Sequence, residues 1–336
     1  MTEKILTISI ASYNAEKDLP KCLDSFVESN VLDKLDIIVI NDGSSDNTSK
    51  IAHNYADKHS SIRVIDKLNG GHGSTINCGI VSAKGKYFRI VDSDDWIDPN
   101  ELEKLVKYLE KSNVDVVFTP YQTVDVLDKA VIETIDNFHC CVDFAEEKNI
   151  SVISENTLLA MHAMTFKTSC IKEVGPIIDE HCFYVDFEYI IYPLVFARSF
   201  VFLNYNVYKY SIGSLKQSVA INSMIKRRDE HLKVVKSVIQ YYKNNEDRVE
   251  KSVKNLIYRN LKKLIAFQIY LYIISNSNEA KNELIDFVRY LETEKFSPLS
   301  CLDSIKNKFG FMILKLTKFT AYTLLSTFFI HNKKKR

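Results

Sequence analysis

The stretch from Asn69 to Trp96, NGGHGSTINCGIVSAKGKYFRIVDSDDW, constrains this chain more than any other. Its paired glycines predict a tight turn, the residues from about Ser74 a helix, Gly85 a second turn, and Tyr87 to Val91 a buried strand. The strand runs into Asp92, Ser93, Asp94 and Asp95. Carboxylates gathered at the carboxyl end of a buried strand repel one another and lose hydration, which a fold tolerates where a cation sits among them. In open α/β sheets, ligands bind just outside those strand ends. Asp-Ser-Asp therefore predicts a divalent metal, Mn2+ or Mg2+, holding a phosphorylated substrate. The alternative is a solvated turn that caps the next helix. Asp98, Pro99 and Glu101 already supply that cap, so the upstream acids stay unexplained by it.

The residues around this stretch repeat one pattern. Ile5 to Ile10, Leu35 to Ile40 and Ile62 to Ile65 are apolar, β-branched runs of the kind covered on both faces. Helices are predicted from about Leu19, with Pro20 in the first turn, from Asn47-Thr48 to about His59, and from Asn100 to Lys111. Val114 to Thr119 is a further strand. Strands alternating with helices imply a mainly parallel sheet. The polar features all fall at strand ends: Ser12-Tyr13-Asn14, Asp42, Lys67 to Gly71, and Asp92 to Asp94. A parallel sheet brings those ends to one edge. There Tyr13 offers a ring for stacking and Asp42 an acceptor for an imide N–H or a ribose hydroxyl. The glycine turn opens a helix whose free N–H groups suit a phosphate.

Whole-chain properties narrow the class. At 336 residues the chain buries one large core or two modest ones, and 44 Lys+Arg against 43 Asp+Glu gives no sign of a nucleic-acid partner. The seven cysteines form no Cys-x-x-Cys pair and their number is odd, so neither a zinc site nor a disulfide framework is indicated. They fit buried thiols in a reducing cytoplasm, and the N-terminus enters a strand with no signal-peptide core.

Ile8 to Asn14, the segment IIVINDGSSDNT from Ile37 to Thr48, Asn69 to Gly79 and Val91 to Trp96 together resemble the family 2 glycosyltransferases with the GT-A fold. The resemblance is close over about the first 120 residues and looser to about residue 220. It implies an α/β, GT-A-type (Rossmann-like), mainly parallel sheet flanked by helices, and an inverting enzyme that uses a nucleotide sugar. On that basis Tyr13 and Asp42 hold uracil, and Asp92 touches ribose and metal. Asp94 ligates the metal between the phosphates. Ser12, Asn14, Lys67, Gly71, Asn77 and Ser93 join the nucleotide-sugar contacts. Two departures stand out. Ala11-Ser12 replaces the common proline-containing turn. His72 to Asn77 stands where many members carry Ala-Arg-Asn, with Ile76 in the place of an arginine that faces the diphosphate. His72 or the helix N-terminus at Ser74 is the candidate replacement, although a loop histidine bonded to backbone explains His72 equally well.

Val124, Val126, Val131, Ile132 and Ile135 predict antiparallel strands on an acceptor side. Phe183 to Tyr189, FYVDFEY, is the second chemical stretch. Sugar transfer with inversion needs a carboxylate to take the acceptor proton, and aromatic neighbours desolvate such a base. In the resembling family an acid at a helix start performs this task. Asp186 matches it, with Glu188 the alternative and a plain N-cap the bland reading. His162 is a weaker site candidate, better read as a core histidine. Lys209 to Val219 is read as a loop bordering the site or as a linker.

From about Ala220 glycine disappears until Gly310 and helical periodicity takes over at Met224–Tyr242, Val249–Ile274 and Glu279–Leu291. The expected organisation is a catalytic domain over 1–220, with a nucleotide-sugar half at about 1–120 and an acceptor half at 121–220, then a helical region over 221–336. Phe309 to Ile330, wound as one helix, places Lys308, Lys315, Lys318 and Tyr322 near one face, and Lys333 to Arg336 closes the chain. Spanning a bilayer would bury two lysines at about 3 kcal/mol each. An in-plane helix on the inner face of the membrane, with a basic tail, fits better, while a last helix packed on the protein is the alternative. The expected partners are a UDP-sugar donor, a glycan acceptor that is lipid-linked in the membrane-contact reading, and the membrane surface. A homo-oligomer is also allowed. Two rival functions remain. A nucleotidyltransferase would need a basic loop after the first strand, where Lys17 is the single basic residue of 12–18. A catalytically inactive glycan-assembly scaffold would have no use for Asp42, Asp92, Asp94 and Asp186.

Overall fold

A computed structural model describes residues 3–126, 130–136, 143–213, 221–302 and 305–333. Cys140, Cys141, most of the 209–219 stretch and the terminal residues 334–336 lie outside these. The chain divides into two compact units, 1–215 with 240–256, and 216–239 with 257–336.

The first unit starts with the alternation expected of the sequence. β1 (Leu6–Ser12), α1 (Leu19–Val27), β2 (Leu35–Asp42), α2 (Thr48–Lys58), β3 (Ile62–Lys67), α3 (His72–Ser82) and β4 (Tyr87–Asp92) follow one another. β5 (Trp96–Ile97), α4 (Pro99–Lys111), β6 (Val116–Phe118), β7 (Tyr121–Asp125) and β8 (Val131–Ile135) come next. Then come β9 (Lys148–Asn149), β10 (Met164–Lys167), α5 (Thr168–Lys172), α6 (Asp186–Ile191), β11 (Ser199–Phe202) and β12 (Tyr208–Ile212).

Eight strands form the main sheet in the order β3-β2-β1-β4-β10-β6-β11-β9. β1 runs parallel to β2 and β4, and β2 parallel to β3. All eight residues of β2 are buried, which explains its unbroken apolar run. β10 enters antiparallel between β4 and β6. α1 turns Leu19, Cys22, Leu23 and Phe26 inward, and Pro20 sits in its first turn where no N–H is needed. The Asp98 carboxylate caps α4 by accepting from the N–H groups of Asn100 and Glu101.

A second sheet, β5-β12-β7-β8, contains the antiparallel β7–β8 pair, with a bulge at Thr123–Val124. Lys209 to Ile212, read from sequence as loop or linker, is instead strand. Between β5 and β7 its backbone groups find the partners that a loop would leave to water.

The rest of the described chain is helical, with the end of α8 and the start of α9 counted in the first unit. α7 (Ile221–Lys226) and α8 (Arg228–Asn245) lead to α9 (Lys251–Ser275), α10 (Asn278–Thr293), α11 (Pro298–Cys301), α12 (Ile305–Leu316) and α13 (Tyr322–Lys333). Leu261, Leu264, Ile265 and Ile269 of α9 are buried, as are Leu284, Phe287 and Leu291 of α10. The single helix expected over Phe309–Ile330 is two helices. Lys318 and Phe319 adopt left-handed backbone, with φ of 47° and 62°. The Phe319 N–H closes α12 onto the Leu314 carbonyl at 2.7 Å, the return bond of a helix C-terminus. The break turns Tyr322 inward, where its hydroxyl donates to the Tyr272 carbonyl. The expected face of three lysines and Tyr322 therefore does not form. Among the described residues no helix is long and apolar enough to cross a membrane.

Candidate active site

Sheet register assembles the site. Ser12 pairs with Asn41, Ala11 with Asp92, and Asp42 with Lys67, so the carboxyl ends of β1 to β4 share one edge. The loops after β1 and β2 are cross-linked. Asn14 N–H donates to Ser44 Oγ at 3.0 Å, and its Oδ1 accepts from Ser45 N–H at 2.9 Å. This holds Asn14 at a φ of 50° and leaves the Tyr13 side chain 57% exposed at the rim. Ser12 is buried and its hydroxyl has no partner among the described residues.

Asp42 is buried and heavily used. Its Oδ1 accepts from Lys67 Nζ at 2.8 Å and Gly70 N–H at 2.9 Å, and its Oδ2 from Gly71 N–H at 2.8 Å. Lys67 also donates to the Leu68 carbonyl and Ser74 Oγ. Asp42 and Lys67 thus shape the glycine turn that opens α3.

That turn receives the segment leading to α6. Gly71 has a φ of +80°, and a Cβ on Gly73 would lie 1.9 Å from the Asp179 carbonyl oxygen, so only glycine lets the chains meet. The His181 N–H donates to the Gly70 carbonyl at 2.6 Å. Asn77 completes the dock: Nδ2 donates to the Ile178 carbonyl at 2.9 Å and Oδ1 accepts from the Ile178 N–H at 3.0 Å. Its amide also reaches Glu180 Oε1 at 3.1 Å. His181 and Tyr184 hold left-handed backbone, φ 51° and 69°, immediately before α6. Such conformations persist where the surroundings over-determine them.

Asp186 lies in the first turn of α6, after the cap residue Val185. Burial raises its pKa, the nearby His72 opposes that, and Asp92 adds to it. The base candidate therefore stands within electrostatic reach of the acidic turn. Glu188 faces elsewhere: it accepts from the Asp179 N–H at 2.7 Å and the Tyr192 hydroxyl at 3.1 Å, and burial pushes its carboxyl to about 8.

The acidic turn itself is pinned on β12. Asp95 accepts from the Tyr208 hydroxyl at 2.6 Å and the Ser211 N–H at 2.8 Å. The same hydroxyl accepts from the Asp92 N–H at 3.2 Å. Burial pushes Asp92 and Asp94 up to about 6, and Asp92 adds to the shift of Asp94. Asp95 rises further, from burial and then from both neighbours. Ser93 is buried between the first two acids. Carboxylates held close against their own repulsion, with no lysine or arginine bonded to them among the described residues, fit a divalent cation.

Ligand atoms of Asp92, Asp95 and His162 lie within 4.8 Å of one another. The His162 ring packs against Tyr121, Tyr208 and Tyr210 at centroid distances of 5.0, 4.8 and 4.3 Å. Burial, then Arg89, hold it neutral with a pKa near 3, the form that ligates a metal. Arg89 itself is fully buried on β4, donating to Thr119 Oγ1, Thr165 Oγ1 and the His162 carbonyl. Sequence reasoning missed Arg89, Tyr208 and Ser211. An arginine inside an apolar strand was the one available signal, and the β12 contacts carried none.

A parallel-centred sheet flanked by helices, with an acidic turn at the end of β4, is the architecture of a GT-A-type domain. Residues 7–138 match the family model for glycosyl transferase family 2, and this part of the chain is a family 2 glycosyltransferase domain. The uncharacterized glycosyltransferase EpsJ of Bacillus subtilis is 35% identical over 113 residues, which is 34% of this chain and 33% of that protein. Chondroitin synthase of Pasteurella multocida is 32% identical over 122 residues, 36% of this chain and 12% of that protein. The chain thus spans a third or less of these relatives. S. aureus TarS 1–349, solved with UDP-GlcNAc, superposes with a TM-score of 0.52 at 17% identity, covering 87% of this chain and 91% of that one. At that identity the likeness concerns the fold.

Proposed function

We propose that the chain is an inverting glycosyltransferase that moves a sugar from a UDP-sugar to a hydroxyl of a glycan acceptor on the cytoplasmic side of a membrane. The reading is supported by the seating of the 178–181 segment, which leads to Asp186, on the glycine turn beside the acidic strand end, and by the electrostatic influence of Asp92 on Asp186. Tyr13 stacks the base at the exposed rim. Asp42 keeps one lone pair of Oδ2 for the imide N–H while its other contacts hold the glycine turn. The acceptor hydroxyl attacks the anomeric carbon as its proton passes to Asp186, and the bond from that carbon to the diphosphate oxygen breaks. UDP departs with the electron pair on the opposite face. Burial raises the basicity of Asp186 for this task. A divalent cation held by Asp92 and Asp94, with Asp95 and His162 adjoining, supplies charge stabilisation to the leaving diphosphate when bound.

Membrane contact belongs to the same proposal. In the helical unit Phe309, Met312, Leu316 and Leu324 expose 64, 46, 80 and 75% of their surface, an apolar set that a lipid interface would cover. The basic terminus beyond it would add attraction to anionic lipid.

The test is thermal-shift screening of nucleotides and nucleotide sugars with and without Mn2+, followed by transfer assays on the sugars that bind. The reading expects stabilisation that requires both a uridine diphosphate and metal. It also expects D94A and D186A to keep the fold and lose transfer. Wild-type activity in both variants would overturn the site, and absence of any metal-dependent nucleotide shift would favour the scaffold.

A further inference from the structure

His72 heads α3 beside the acidic site, and the steps above give it no task. Its Nε2 lies 3.7 Å from Asp92 Oδ1, beyond hydrogen-bond length. The side chain is 31% exposed, while this atom is turned away from solvent and has no hydrogen-bond partner among the described residues. An unsatisfied buried polar atom costs about 1–3 kcal/mol, which a ligand would recover by bonding to it. The carboxylates acting on the ring are, in order of strength, Asp186, Asp94 and Asp42. The imidazole therefore lies within electrostatic reach of both the base and the acids that would hold the metal.

Among the described residues, two basic groups of this region, Lys67 and Arg89, are already committed. Lys67 Nζ is spent on Asp42, the Leu68 carbonyl and Ser74. Arg89 is spent on Thr119, Thr165 and the His162 carbonyl. The next turn of α3 presents Ile76, whose side chain is buried. A diphosphate arriving beside Asp92, Asp94, Asp95 and Asp186 brings further negative charge, and each added donor there counts.

We propose that His72 Nε2–H donates a hydrogen bond to the β-phosphate of the donor and stays with it as the diphosphate leaves. The proposal rests on the glycosyltransferase reading. No proton moves through His72: the acceptor proton goes to Asp186 and the electron pair departs with UDP. The imidazole acts as a placed donor toward developing charge. Its placement comes from the glycine turn, which Asp42 and the 178–181 segment hold from two sides.

The experiment uses the full chain, with calorimetric titration of Mn2+ alone, UMP with Mn2+ and UDP with Mn2+. His72→Ala is expected to weaken UDP about tenfold while Mn2+ and UMP stay within about twofold. His72→Gln, whose amide also donates, is expected to recover most of the UDP affinity. Circular dichroism checks both folds, and His72→Asn, a shorter donor, reads the same contrast if the alanine variant is unfolded. Equal losses for UDP and UMP, or unchanged UDP affinity, overturn the proposal. So does weaker Mn2+ binding without nucleotide, which would make His72 a partner of Asp92 alone. A wild-type chain that binds neither nucleotide with Mn2+ overturns the glycosyltransferase reading, and this inference with it.

Discussion

Asn77 separates two accounts of the glycine helix. The family resemblance makes it a donor contact, whereas its side chain in the structure is engaged by the backbone of Ile178 in both directions and by Glu180. Asn77→Ala would remove three hydrogen bonds and leave the Ile178 N–H and carbonyl unpaired. A net hydrogen bond is worth about 1 kcal/mol and each orphaned buried group costs about 1–3 kcal/mol, so the variant should lose about 2–4 kcal/mol. The damage would fall on the 178–185 segment that carries Asp186. Urea unfolding followed by circular dichroism reads the stability, and calorimetry reads UDP binding with Mn2+. We expect the midpoint to drop, turnover to fall, and UDP affinity to change less than about threefold, a difference under 1 kcal/mol. A variant of wild-type stability that has lost UDP binding would refute this and return Asn77 to the donor pocket.

Further outcomes are expected. Asp186→Asn, nearly isosteric, should lower transfer by about 10²–10⁴-fold while UDP binding with Mn2+ persists, as pre-steady-state and binding measurements would show. Glu188 has a folded pKa near 8 against an ordinary 4.5. Its folded form keeps a proton that the unfolded chain releases, so its contribution to stability is complete below pH 4.5 and is lost as pH rises through 8. Glu188→Gln should flatten that decline in denaturation midpoints measured across the window, and an unchanged slope would refute it. Removing residues 309–336 should abolish binding to anionic liposomes and leave donor hydrolysis in solution mostly intact. Equal flotation of the truncated chain would refute the membrane contact.

The legible part of this chain was the part governed by local pattern. The apolar runs that became β1 to β4 announce themselves because a strand covered on both faces admits little else. The acidic turn was legible because Asp92, Asp94 and Asp95 conflict with burial unless something compensates. What stayed hidden depends on long-range pairing. Nothing near Tyr208 or Ser211 says that β12 will lie beside β5 and pin Asp95, since that contact joins residues more than a hundred positions apart. The tail failed for a different reason. Periodicity carried one helix through Phe319, while the actual stop is a left-handed pair, Lys318 and Phe319, of residue types that give no such signal. The same distinction bears on function. Residues that touch a ligand and residues that hold the ligand site look alike in a motif, because both are polar and both sit near glycine. Asp42, Lys67 and Asn77 are donor-contact candidates implied by the family resemblance, and they gather around the same glycine turn as His72. The first three spend most of their hydrogen bonds on the protein, and His72 alone among these four has a buried nitrogen with none. Hydrogen-bond accounting therefore points to His72, more than to these three neighbours, as the group around the glycine turn kept for a ligand.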